Sequence, residues 1–137
     1  MATLTSRQTD ALVELLRAEL SGVLAVYLFG SQASGLANDD SDTDIAVLVA
    51  GYSDPVTLFE LAGKLGDIVR TPVDLVDFRA ATTVLQAQIL NEGRALWRAH
   101  SDVESYEAGV LRDKYDLDIR RQAQLDEIKE RGSVYAQ

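Results

Sequence analysis

Apolar and polar positions along the chain follow two rhythms, one helical and one extended. From Thr5 to Leu20 the apolar residues Leu12, Leu15, Leu16 and Leu20 recur at helical spacing. This predicts an amphipathic helix capped by Thr5 or Ser6 and stopped by Ser21-Gly22. Val23 to Phe29 is almost continuously apolar, the mark of a strand covered on both faces. Ser31 to Gly35 reads as a short helical turn with its N–H groups free to face an anion, and Asn38 to Ser41 as a polar loop. A second apolar strand is predicted over Thr43 to Ala50.

Asp54 followed by Pro55 is a helix start, and the helix runs to about Val69 with Leu58, Leu61, Leu65 and Ile68 inward. Thr71-Pro72 opens a third strand, Val73 to Phe78. Ala80 to Asn91 is predicted helical, with Val84, Leu85 and Ile89 buried and Gly93 at its end. Arg94 to Arg98 reads as a short edge strand anchored by Leu96 and Trp97. Ser101 then caps a long charged helix reaching roughly Arg131, with an irregular apolar stripe through Val103, Tyr106, Val110, Leu111, Tyr115, Ile119, Leu125 and Ile128. The order points to an α/β (α+β) fold, a small mixed sheet flanked by helices, with a long C-terminal helix. Residues 1–99 are expected to form the catalytic unit, and 100–137 a helical extension available to a partner.

Composition narrows the function. The 137 residues suit one domain. A net charge of −9 argues against general nucleic-acid binding, which needs a basic surface. It suits a basic protein partner, or simple solubility, instead. With no cysteine there is neither a disulfide nor a thiolate metal site, which fits a reducing cytoplasm. The N-terminus lacks the apolar core of a signal peptide, and no stretch has membrane-spanning character. A cytoplasmic protein is expected.

The chemistry concentrates where the first strand ends and the second begins. Asp42 and Asp44 sit two apart, so a strand projects both from one face. Two such carboxylates repel unless a cation lies between them, and Mg2+ favours one or two carboxylates with substrate phosphates. Gly30-Ser31 supplies a turn that phosphate oxygens can approach, with backbone N–H groups and a hydroxyl to hold them. An anion cradle beside metal carboxylates implies a metal-bound nucleoside triphosphate. The third predicted strand adds Asp74 and Asp77, and two-metal phosphoryl transfer needs carboxylates holding ions about 3.5–4 Å apart.

Gly30-Ser31, ten residues, then Asp42-x-Asp44 resembles the signature of the DNA polymerase β-like nucleotidyltransferase superfamily. The short chain, with LFGSQASG and SDTDIAVLV, is most similar to its minimal branch, the MNT-type antitoxins that accompany HEPN-domain toxins in prokaryotes. The resemblance covers roughly Leu12 to Trp97 and implies the nucleotidyltransferase palm fold. It implies Asp42, Asp44 and Asp74 as catalytic and metal residues, since VDLVD resembles the family's third carboxylate strand and its first aspartate matches. Gly30, Ser31 and Gln32 are carried over as nucleotide-binding. Mg2+, as a two-ion site, and ATP follow from the same source. So does the activity, adenylylation of a tyrosine on a cognate HEPN ribonuclease toxin by its antitoxin in a type VII-like pair, with a hetero-oligomer as the working form.

Many relatives carry an arginine shortly after Gly-Ser, where Ser34 stands here. That leaves the phosphate grip to Ser31, backbone N–H groups, metal and a distant basic residue such as Arg70 or Arg79. Asp77, three residues beyond Asp74, falls on the opposite strand face and reads as a helix cap or surface charge. Asp39 and Asp40 read as solvated loop charges, His100 as a capping or surface residue, and Tyr27 and Trp97 as core. Two alternatives stay open at this point: an antitoxin acting by contact alone, and a nucleotidyltransferase for a small molecule.

Overall fold

The computed structural model describes residues 4–30, 33 and 42–135, with side chains as far as 131. Among the described residues, four helices and four strands follow in order: α1 (Ser6–Glu19), β1 (Val23–Phe29), β2 (Thr43–Val49), α2 (Pro55–Val69), β3 (Val73–Asp77), α3 (Thr83–Glu92), β4 (Arg94–Arg98) and α4 (Asp102–Tyr135). The sheet runs β3-β2-β1-β4. β1 is antiparallel to both β2 and β4, whereas β2 and β3 are parallel and joined through α2 as a crossover unit.

Local chemistry fixes the element ends. Thr5 caps α1 through a reciprocal capping box with Gln8. Asp54 caps α2 with Pro55 in its first turn, and Arg70 ends it in a left-handed conformation. α3 begins at Thr83, later than the apolar spacing implied. Phe78 to Ala81 forms a turn closed by an Ala81 N–H to Phe78 carbonyl bond, and Thr82 supplies the cap. Gly93 ends α3 as expected, with its N–H on the Ile89 carbonyl.

Strand alternation sorts two cores. Val26, Leu28, Ile45, Val47 and Leu75 face α1 and α2, where Leu12, Leu16, Leu61 and Leu65 meet them. Ala25, Tyr27, Phe29, Ala46 and Leu48 face the other way, against Phe78, Ile89, Val103 and Val110. Both faces of β1 and β2 are therefore covered, which is why those strands read as unbroken apolar runs. Two expectations of burial need correction. Val84 is exposed and Leu85 is half-buried, because α3 presents only part of its circumference to the sheet, whereas Ile68 packs inward against the first core as expected. Leu96 and Trp97 are half-buried anchors of β4, with the Arg17 guanidinium over the Trp97 ring at 4.3 Å.

The first half of α4 packs into the second core and is tied to the sheet by a polar link. The Tyr27 hydroxyl donates to the Glu107 carboxylate at 2.5 Å, and Arg98 reaches the same carboxylate at 3.1 Å. Tyr27 is thus core, as its sequence context implied. Beyond Val110, α4 leaves Tyr115, Ile119, Leu125 and Ile128 exposed.

Candidate active site

Parallel pairing brings the third carboxylate to the first two. In the β2–β3 register Asp44 lies opposite Asp74, and neighbouring strands run about 4.8 Å apart. Alternation sets both on one face: Ile45 and Leu75 turn toward the first core, Ala46 and Val76 toward the second, and the aspartates share the latter side. Asp42 precedes β2 by one residue and is exposed, as is Asp74, while Asp44 is half-buried.

The strand starts are locked together, which fixes where these carboxylates stand. The Thr43 N–H donates to the Pro72 carbonyl at 2.9 Å. The Thr43 and Thr71 hydroxyls share a 2.6 Å bond, and Thr43 is fully buried. A β-hydroxy residue between the two aspartates thus clasps the end of α2 to the start of β2.

Gly30 completes the arrangement from the β1 side. It follows β1 directly, with φ +70, a conformation that side chains avoid. A Cβ at this position would lie 2.2 Å from Asp44 Oδ2. The sequence reading gave Gly30 the task of letting an anion approach; its own neighbour is the Asp44 carboxylate. Nothing in the one-dimensional pattern marks that contact, because it joins positions fourteen residues apart.

Asp44 carries the electrostatic signature of the cluster. Partial burial, then the charges of Asp74 and Asp42, raise its carboxyl above the ordinary aspartate range. These hard oxygen donors fit Mg2+ in kind, and the repulsion recorded at Asp44 is what a bound cation relieves. Among the described residues no three acidic or histidine side chains already converge as a finished chelate.

Ser31 and Gln32 lie outside the described residues, as do the expected helical turn beyond Ala33, Ser34, and the loop with Asp39 and Asp40. Asp77 is neither surface charge nor helix cap. It is buried, accepting from the Ser53 N–H at 2.9 Å and the Arg79 N–H at 3.1 Å, and so ties β3 to the loop before α2. Arg79 bonds the Val49 carbonyl and lies over the Tyr106 ring, at the far end of β2 from Asp44. That places it away from the aspartate cluster. Arg70, by contrast, caps α2 two residues before Pro72, at the end of the sheet that carries the aspartates. His100 is exposed and paired with Asp102 at 3.7 Å, a surface role as expected. A groove of about 680 Å3 between α2 and β3 opens beside Asp42 and Asp74.

A family model described as Polymerase beta, Nucleotidyltransferase matches residues 11–102. The Protein adenylyltransferase MntA of Shewanella oneidensis is 38% identical over 119 residues, which are 87% of this chain and 86% of that one. A crystal structure of a toxin-antitoxin with AMP-PNP superposes with a TM-score of 0.78 at 37% identity, covering 88% of this chain and 97% of the other. The MNT antitoxin from a complex with tri-AMPylated Shewanella oneidensis HEPN toxin is similar at 34% identity and a TM-score of 0.75, over 91% and 98% of the two chains. Among the described residues no helix is long and apolar enough to cross a membrane.

Proposed function

This chain belongs to the polymerase β nucleotidyltransferase family, and on that premise we propose that it is an antitoxin that transfers AMP from ATP to a tyrosine of a cognate HEPN-domain toxin. The observation that carries the chemistry is the registered Asp44–Asp74 pair with Asp44 packed against Gly30. The acceptor class comes from relatives solved with HEPN toxins, one of them AMPylated.

Asp42, Asp44 and Asp74 are the residues that would hold Mg2+. When bound, the ion neutralises the triphosphate and the charge developing on the attacking and leaving oxygens. The turn at Gly30, with Ser31 and Gln32, cradles the phosphate tail. Arg70 is the basic residue that takes the place of the missing arginine. Asp74 accepts the proton of the acceptor hydroxyl. The hydroxyl oxygen bonds to the α-phosphorus as the bond from that phosphorus to pyrophosphate breaks. Added AMP brings bulk and negative charge to the toxin, which opposes RNA at a ribonuclease site. Residues 1–99 carry this chemistry, and the exposed far half of α4 extends toward the toxin.

Labelled ATP, Mg2+ and the cognate HEPN protein are expected to give a labelled HEPN protein. An intact complex that acquires no label with the unmodified chain would overturn this function.

A further inference from the structure

We propose that the groove between α2 and the outer edge of β3 is the acceptor channel, taking an extended, neutral or basic segment of the protein substrate alongside β3. This rests on the transfer function above. In-line displacement places the attacking hydroxyl opposite the leaving pyrophosphate. The sheet order fixes which side is which. Gly30 and the phosphate cradle follow β1, Asp44 stands on β2, and Asp74 stands on β3 beyond it. With the phosphate tail on the β1 side, the hydroxyl arrives from the β3 side; α2 covers the opposite sheet face, but the groove reaches the aspartates because Asp42 and Asp74 are part of its lining.

The groove has the features such a segment needs. Its volume of about 680 Å3 lies within the range of about 300–1,000 Å3 usual for binding sites. β3 is the outer strand of the described sheet. The Pro72 carbonyl and the Phe78 N–H point to β2, so by alternation Val73 and Leu75 turn their backbone groups to the open edge. An added strand finds hydrogen bonds there. The opposite wall is α2, where Gly63 leaves room, since a Cβ there would meet nothing within 4 Å. Phe59, 82% exposed, stands on the same wall as an aromatic anchor. Asp42, Asp67 and Asp74 line the groove with negative charge and favour a neutral or basic occupant over an acidic one.

The test uses the full chain, Mg–ATP and the cognate HEPN protein, with Gly63→Leu to fill the groove and Phe59→Ala to remove the anchor. Gly63→Leu meets no atom at its Cβ and favours the helix, so its melting temperature should equal or exceed that of the parent. Should it fail to fold, the exposed Phe59→Ala carries the test alone. The expected result is a KM for the HEPN protein raised by about tenfold or more, with Mg–ATP affinity unchanged. Val84→Ser, an exposed apolar change on α3, should leave both unchanged. An unchanged KM for the protein in the groove variants overturns the inference alone. Equal weakening of Mg–ATP binding also overturns it, because the groove then holds the nucleotide. Absence of transfer by the unmodified chain overturns the function and the inference together.

Discussion

Asp44 is the residue on which the site turns. Its carboxyl is held above the usual range by partial burial and by the charges of Asp74 and Asp42. Without metal, the folded chain therefore binds more protons than the unfolded chain between the ordinary aspartate pKa, about 3.9, and the raised value. Stability contributed by this group is present at low pH and lost as pH rises through that window. Asp44→Asn should flatten that segment of a metal-free stability–pH curve and raise the melting temperature at neutral pH, while lowering AMP transfer by about 10²–10⁴. Gly30→Ala should cost about 1–2 kcal/mol through its left-handed backbone and displace Asp44, so that denaturant midpoint and transfer rate fall together. That Asp74 stands beside Asp44 was legible, because VDLVD resembles a strand paired with the Asp-x-Asp strand, and the register bears out that pairing. The Gly30–Asp44 contact and the backbone bonds of Asp77 were not, since both depend on which loop returns against which strand.

At the scale of elements, α4 is fastened to the sheet by one buried acid. Glu107 is 7% exposed and accepts from Tyr27 and Arg98. Burial and the Glu107 charge push the Tyr27 phenol far above its ordinary value, so it remains a neutral donor throughout the physiological range. Glu107→Ala should destabilise by about 2–4 kcal/mol in chemical denaturation, with Glu107→Gln recovering part of that loss. Thr43→Val should cost about 1 kcal/mol by breaking the hydroxyl clasp to Thr71. The strands and the α1, α2 and α4 helices were readable from periodicity, and the caps of α1 and α2 from Thr5 and Asp54. The start of α3 was not, because the Phe78–Ala81 turn precedes its Thr82 cap and keeps polar and apolar residues at helical spacing outside the helix. The Tyr27–Glu107 link joins residues eighty positions apart and leaves no local trace.

Across the whole molecule, the chain carries a net charge of −9 and a long helix whose far half leaves Tyr115, Ile119, Leu125 and Ile128 exposed. Leu125 and Ile128 are 58% and 65% exposed, so Leu125→Ser with Ile128→Ser should leave the melting temperature unchanged. The same pair should weaken association with the HEPN protein, read by titration calorimetry, if α4 extends to it. The sequence implied a small mixed sheet without its strand order. That order, β3-β2-β1-β4, is what sets Gly30 and Asp74 on opposite sides of Asp44. The measurement that bears most directly on the whole account is transfer of labelled AMP to the HEPN protein by the parent chain and by Asp42→Ala with Asp44→Ala, each in a verified complex. Label with the parent and none with the variant is the predicted result; equal label from both, or none from the parent, contradicts it.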